Sequence, residues 1–185
     1  MTTLTPANQL TLLRMLLIPA FVLLVIYGHF GWALLVFATA GATDALDGLI
    51  ARRSGQKTRL GAWLDPAADK LLLMSTFIVL TIPDLGLANR LPIWLTVLII
   101  SRDVCIVATV AIVNLAIGPR TFRPSIYGKL ATATYIVTAV VAMFFNYRGY
   151  ASHVVTLFIY ASLVVTLLSG FHYIWHAARI VESSA

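Results

Sequence analysis

Charged residues and cysteine are scarce in this chain of 185 residues. Only 11% of the residues are Asp, Glu, Lys or Arg, whereas 60% are hydrophobic and the mean hydropathy is +0.92. A soluble domain typically has about 25% charged residues. The single cysteine excludes a disulfide framework and a cysteine-rich metal cluster. The composition therefore predicts a helical membrane protein that crosses the bilayer several times.

Six apolar segments are each close to the roughly 20 residues that a helix needs to cross a bilayer. They are about Ala7–Tyr27, Trp32–Ala51, Leu64–Ile82, Pro92–Ile117, Tyr127–Phe145 and Val154–Trp175. Because a backbone in lipid must satisfy its own hydrogen bonds, we expect every segment to be helical. The predicted fold is all-α, a polytopic membrane protein with six transmembrane helices in one domain over residues 1–185.

The net charge of +6 comes from short basic connections between apolar segments. The connection between the second and third segments contains Arg52, Arg53, Lys57 and Arg59. The connection between the fourth and fifth contains Arg120 and Arg123. Such a distribution sets membrane topology and favours anionic lipid as a partner, and it does not favour nucleic acid. Both connections and both termini are predicted to face the cytoplasm.

Four of the seven acidic residues flank the first of these basic connections. Asp44 and Asp47 are three residues apart near the end of the second segment, and Asp65 and Asp69 are four apart at the start of the third. Either spacing places two carboxylates on one face of a helix. The hairpin between the segments would bring the two faces together.

Four converging carboxylates cannot all stay ionised without compensation. Oxygen ligands suit Mg²⁺ or Mn²⁺, and four aspartates could hold two such ions, an arrangement used for attack at phosphorus. One alternative is an inert network of ion pairs with Arg52, Arg53, Lys57 and Lys70. Another is a divalent-cation transporter, which would place acids near the bilayer midplane in several segments.

The same residues carry a resemblance to a known family. They form the pattern Asp44-x2-Asp47-Gly48-x2-Ala51-Arg52-x8-Gly61-x3-Asp65-x3-Asp69. This pattern is similar to the signature of the CDP-alcohol phosphatidyltransferases. The opening Asn8-x2-Thr11-x2-Arg14 also resembles the N-terminal segment of that family.

The resemblance implies an enzyme that transfers the phosphatidyl group of CDP-diacylglycerol to an alcohol and releases CMP. It implies that two divalent cations are held by Asp44, Asp47, Asp65 and Asp69. Asp69 would also deprotonate the acceptor hydroxyl. The CDP-lipid would be bound by Asn8, Thr11, Gly48, Arg52, Thr58 and Gly61. Homodimers are common in the family, so a homodimer is a further expectation.

Two glycerol-type alcohols are candidates for the acceptor. The basic candidates for binding it are Arg102, Arg120, Arg123 and Lys129. Arg102 could instead form an internal ion pair with Asp103, and Lys129 could extend towards the interface. The size and layout resemble bacterial phosphatidylglycerophosphate synthases, which favours glycerol 3-phosphate and a bacterial inner membrane.

Two local sequences favour phosphatidylglycerol as the acceptor instead, which would make the protein a cardiolipin synthase. The segment Ile99–Val104 is closer to that branch, and Gly128-Lys129 is not followed by a second lysine. Cys105, next to this segment, is expected to be a small buried residue.

Overall fold

A computed structural model of the chain describes the backbone of residues 6–54, 59–117 and 125–182. Side chains within these ranges are described for residues 11–43, 67–112, 115 and 125–175. Six helices and no strand are present in these parts of the chain. The helices are α1 (Pro6–Ile26), α2 (Phe30–Ser54), α3 (Arg59–Thr81), α4 (Ile93–Ile117), α5 (Ile126–Arg148) and α6 (His153–Glu182).

The helices confirm the predicted all-α fold and differ from the predicted segments mainly at two ends. α3 begins at Arg59 and α6 ends at Glu182, so both extend beyond their apolar segments. Hydropathy marks only the part of a helix that suits lipid, whereas backbone hydrogen bonds continue into polar sequence. The extension of α3 places Asp65 and Asp69 in its first half.

Three helices are long and apolar enough to cross a membrane within the described residues. These stretches are Ile93–Ile112, Ile126–Arg148 and His153–Trp175. α1 and α2 contain shorter described apolar stretches, Thr11–Ile26 and Phe30–Thr43. The protein is therefore an integral membrane protein built from helices.

The contacts divide the chain into two compact units. The first comprises Met1–Arg90 and Ala142–Ala151, and the second comprises Leu91–Val141 and Ser152–Ala185. α5 therefore contributes its last residues to the first unit and the rest to the second. Whether residues 1–185 act as one domain stays a prediction.

In the first unit, α1 packs against both α2 and α3. The rings of Phe21 and Phe37, both buried, are 5.9 Å apart between centroids. The connection after α3 is fixed to the end of α5, because the Asn89 amide N–H donates to Asn146 Oδ1 at 2.7 Å. Asn89 Nδ2 also donates to the carbonyl oxygen of Tyr150 at 2.9 Å. These bonds satisfy polar groups that would be costly to bury alone.

In the second unit, α4 packs against α6, and hydroxyl groups join α5 to α6. Tyr135 Oη and Thr166 Oγ1 are 2.6 Å apart, and Thr138 Oγ1 and Ser162 Oγ are 2.8 Å apart. All four residues are buried. Hydrogen bonds between hydroxyls are a common way for membrane helices to associate where lipid offers no hydrophobic gain.

Candidate active site

The four aspartates of the sequence pattern lie on two consecutive helices. Asp44 and Asp47 belong to the C-terminal half of α2, and Asp65 and Asp69 belong to the N-terminal half of α3. The two helices contact each other, and only residues 55–58 separate them in sequence. Helical geometry places each pair on one face. The backbone therefore agrees with the expectation that both pairs lie at the same end of a helical hairpin.

Most of the residues predicted to bind the metal ions, the CDP-lipid or the acceptor have side chains that lie outside the described residues. Among the metal and CDP-lipid candidates these are Asp44, Asp47, Asp65, Asn8, Gly48, Arg52, Thr58 and Gly61. Among the acceptor candidates they are Arg120 and Arg123. Their roles stay predictions. Thr11, Asp69, Arg102 and Lys129 are described.

Asp69 is the one aspartate of the pattern whose side chain the structure describes. Its Oδ1 accepts a hydrogen bond from Arg14 Nη1 at 2.6 Å, and the two groups form an ion pair. The Asp69 side chain is 44% exposed, so the carboxylate stays accessible to a substrate or a cation. A hydrogen bond between charged groups at this distance is short and strong, and it restricts the orientation of the carboxylate.

Arg14 is buried in α1, with a side chain only 1% exposed. Thr11, one turn earlier, is fully buried on the same face. Arg14 belongs to the N-terminal motif Asn8-x2-Thr11-x2-Arg14, and its pairing with Asp69 was not predicted from the sequence. The available signal was an arginine within an apolar helix, because such a charge needs a partner. Which acidic residue is that partner depends on how α1 packs against α3.

The Arg102 guanidinium is held inside the second unit. Its Nη1 donates to Asp103 Oδ1 at 2.6 Å, and its Nη2 donates to Ser169 Oγ. The ion pair is partly buried, with Arg102 10% and Asp103 14% exposed. A Cβ added at Gly128 would lie 3.3 Å from Arg102 Nη2, so Gly128 leaves room for the guanidinium beside α5. The internal ion pair that the sequence left as an alternative is therefore present.

Lys129 is exposed in the first turn of α5. The residue before this helix, Ser125, accepts a hydrogen bond from the Gly128 amide through its Oγ at 3.0 Å, in the manner of an N-cap. Lys129 thus stands at a helix end from which its ammonium can reach a polar phase. This position is compatible with both interpretations of Lys129, acceptor binding and extension to the interface.

The donor set on α2 and α3 fits a hard divalent cation, because it consists of four carboxylates and the described one, Asp69, is accessible. Groups of three or more His, Cys, Asp or Glu side chains are absent from the described residues. The side chains of Asp44, Asp47 and Asp65 lie outside the described residues. The metal site therefore stays a prediction supported by ligand chemistry.

Comparison with known families decides among the chemical classes that such a site allows. The family model described as CDP-alcohol phosphatidyltransferase matches residues 4–168. The chain belongs to this family. It is therefore a transferase of substituted phosphate groups that acts in phospholipid biosynthesis, and the transporter alternative is not supported.

Relatives of this phosphatidyltransferase have two kinds of name. A probable phosphatidylglycerophosphate synthase of Mycobacterium tuberculosis is 36% identical, over 94% of this chain and 81% of the relative. A cardiolipin synthase (CMP-forming) of Streptomyces coelicolor is 39% identical, over 60% of this chain and 52% of the relative. The human cardiolipin synthase (CMP-forming) is 32% identical, over 95% of this chain and 62% of the relative. These two kinds of name correspond to the two acceptors that the sequence left open, glycerol 3-phosphate and phosphatidylglycerol.

Prediction from sequence was wrong about Cys105, which is exposed rather than buried. It lies on α4, which is apolar around much of its surface. In a membrane helix an apolar residue can face lipid as well as the protein interior, so hydrophobicity does not identify the buried face.

Proposed function

We propose that this phosphatidyltransferase transfers the phosphatidyl group of CDP-diacylglycerol to glycerol 3-phosphate, releasing CMP and forming phosphatidylglycerophosphate. The observation that carries the proposal is the accessible Asp69 carboxylate, oriented by Arg14 on the helix that also contains Asp65. The choice of glycerol 3-phosphate is supported by similarity over 94% of the chain to a probable phosphatidylglycerophosphate synthase.

In the proposed reaction the acceptor hydroxyl oxygen attacks the phosphorus attached to diacylglycerol. A new P–O bond forms, the P–O bond to CMP breaks, and the hydroxyl proton passes to the Asp69 carboxylate and then to water. A positioned carboxylate suits this role as a general base. Its bond to Arg14 restricts its rotation and keeps one oxygen at a fixed position.

The residues that would hold two divalent cations, Mg²⁺ or Mn²⁺, are Asp44, Asp47, Asp65 and Asp69. Such ions supply neutralisation of the diphosphate charge. Gly48 and Gly61 would allow the CDP moiety to approach the α2 and α3 backbones, and Arg52 would add positive charge. Asn8, Thr11 and Thr58 would complete the CDP-lipid site.

Glycerol 3-phosphate would require positive charge at its phosphate. Lys129 is exposed at the start of α5 and suits this role, together with the predicted contributions of Arg102, Arg120 and Arg123. The acceptor carries up to two negative charges, so cations besides Arg102, which is already paired with Asp103, are expected around it.

A second candidate acceptor, phosphatidylglycerol, is favoured by the state of Arg102. Its charge is already compensated by Asp103, which weakens its attraction for a dianionic phosphate. A lipid acceptor with one phosphodiester charge requires less positive charge from the site. This reaction would make the enzyme a cardiolipin synthase, consistent with the names of several relatives.

The two candidates predict different acceptor dependence of CMP release. Purified enzyme is supplied with CDP-diacylglycerol, Mg²⁺ or Mn²⁺, and either glycerol 3-phosphate or phosphatidylglycerol. We expect glycerol 3-phosphate to support release and excess chelator to abolish it. Release that requires phosphatidylglycerol would replace the first candidate by the second. Undiminished release in chelator would contradict the metal proposal with either acceptor.

We also propose that the active site faces the cytoplasm of a bacterial cell, with the enzyme in the inner membrane. The basic residues near the four aspartates support this orientation. In a Cys105→Ala background, a membrane-impermeant maleimide applied to intact cells should label Arg90→Cys and leave Lys57→Cys unlabelled. Both should react after the membrane is permeabilised. Labelling of Lys57→Cys in intact cells would reverse the proposed topology.

A further inference from the structure

The first turn of α5 packs closely against the Arg102 guanidinium. A Cβ added at Gly128 would lie 3.3 Å from Arg102 Nη2 and also 3.3 Å from Ser125 Oγ. Non-bonded heavy atoms attract each other best at about 3.5–4.0 Å. A side chain at residue 128 would therefore push the guanidinium or the turn aside by a few tenths of an ångström. Glycine is the residue that allows this close approach.

The guanidinium itself is held by two other helices. Arg102 Nη1 donates to Asp103 Oδ1 on α4 at 2.6 Å, and Nη2 donates to Ser169 Oγ on α6. The Arg102 side chain is only 10% exposed, and α4 and α6 contact each other directly. The guanidinium is therefore a fixed surface between α4 and α6, on which the first turn of α5 rests.

Electrostatic attraction does not explain why α5 approaches Arg102. The N-terminus of a helix carries a partial positive charge, so a cation beside it is unfavourable. Gly128 lies in the first turn of α5, which begins at Ile126. Asp103 offsets part of the Arg102 charge. The contact is therefore one of shape, and its consequence is to fix where the first turn of α5 lies.

Further contacts hold the same turn. Ser125 Oγ accepts the Gly128 N–H at 3.0 Å, and the Ser125 carbonyl oxygen accepts the Lys129 N–H at 3.2 Å. The rings of Tyr127 and His172, the latter on α6, have centroids 4.7 Å apart. Residues 127 and 128 thus both pack against side chains of other helices. The backbone position of the next residue, Lys129, follows from theirs.

Lys129 is the exposed cation that this turn presents. Its side chain is exposed and forms no ion pair with a described residue, whereas the charge of Arg102 is paired with Asp103. A lysine ammonium is a point charge on a flexible stem, so the region it can reach is set by its backbone position. A misplacement of about 1 Å can cost a factor of about 10² in an enzyme. The position of the first turn of α5 therefore matters for whatever Lys129 binds.

We propose that Arg102 is a positioning residue for Lys129, and that Gly128 is needed because it lets α5 rest on the guanidinium. The inference rests on the proposed function, in which Lys129 binds the phosphate of the acceptor. Arg102 then contributes to acceptor binding through Lys129 and does not itself touch the phosphate. The same holds whether the acceptor is glycerol 3-phosphate or phosphatidylglycerol.

The first experiment measures steady-state CMP release with the acceptor that supports it. Gly128→Ala is compared with Gly170→Ala, because a Cβ at Gly170 would meet no atom within 4 Å. We expect Gly128→Ala and Ser169→Ala to raise KM for the acceptor about threefold, with kcat and KM for CDP-diacylglycerol unchanged. Gly170→Ala should match the wild type. An unchanged acceptor KM in both Gly128→Ala and Ser169→Ala would overturn the proposal.

A double variant shows whether the effect passes through Lys129. Lys129→Met alone should raise KM for the acceptor at least about tenfold. Adding Gly128→Ala to it should then raise KM no further, because the positioned group is gone. A further threefold rise would show that Gly128 acts by another route and would contradict the inference. An unchanged KM in Lys129→Met would remove Lys129 from the acceptor site, and the inference with it.

The second experiment needs no turnover, so it separates failure of this contact from failure of the proposed function. Alanine stabilises a helix relative to glycine, and Gly170→Ala should raise Tm by about 2 °C. Gly128→Ala should give no such rise in the wild type, because its Cβ meets Arg102. In an Arg102→Gln background, where the side chain is shorter, Gly128→Ala should raise Tm. Equal rises for both alanine variants in the wild type would show that the contact does not constrain α5.

Discussion

Replacing Asp69 by Asn should lower kcat for CMP release by about 10³-fold, or about 4 kcal/mol in the activation free energy. The amide oxygen of Asn can still accept the hydrogen bond that Arg14 Nη1 donates to Asp69 Oδ1. It cannot accept the proton of the acceptor hydroxyl at neutral pH. The measurement is single-turnover CMP release with saturating acceptor, alongside equilibrium binding of CDP-diacylglycerol, which should be mostly retained.

The matched control for this substitution is Asp84→Asn. Asp84 is exposed and has a φ of 67°, a left-handed conformation that Asn tolerates well. The same chemical change is therefore made where no role in transfer is proposed, and activity should stay at the wild-type level. Near-normal turnover of Asp69→Asn would remove Asp69 from the role of general base. A loss of CDP-diacylglycerol binding of the same size would assign it to substrate or metal binding instead.

The helices were predictable because lipid imposes a simple rule on sequence. Every backbone group must be hydrogen-bonded within the segment, so a long apolar run is a helix. The same rule does not show where a helix leaves the membrane. The sequence therefore did not predict that α3 begins at Arg59 or that α6 continues to Glu182. Nor does it show which side faces lipid, which is why the exposure of Cys105 was not anticipated.

The candidate site was predictable to the extent that its residues are close in sequence. Spacing alone places Asp65 and Asp69 on one face of α3, and adjacency suggested the pair of Arg102 with Asp103. The ion pair between Arg14 and Asp69 joins residues 55 positions apart and depends on the packing of α1 against α3. Contacts of this kind depend on how the helices pack, which the periodicity of apolar residues in the sequence does not determine.

Replacing Arg14 by Met should lower kcat by about 10²-fold while leaving the fold intact. The buried guanidinium touches no reacting atom in the proposed reaction, and acts by fixing the orientation of Asp69. Loss of such positioning typically costs a factor of this size. Met replaces the buried charge by an apolar chain, and the Asp69 carboxylate left behind is 44% exposed and can be hydrated. Stability should therefore fall less than the roughly 3–5 kcal/mol expected when a buried charge loses its partner.

Asp69→Asn should lower stability more than Arg14→Met does, because the buried Arg14 keeps its charge and loses the ion pair with Asp69. The double variant Arg14→Met/Asp69→Asn separates the two effects, since it removes the buried charge as well. Thermal unfolding should show the double variant to be more stable than Asp69→Asn, whereas its CMP release should stay as low. Recovery of activity together with stability would mean that Asp69 serves mainly to neutralise Arg14. Partial activity in Arg14→Lys, with KM for CDP-diacylglycerol unchanged, would support positioning by a cation rather than by packing alone.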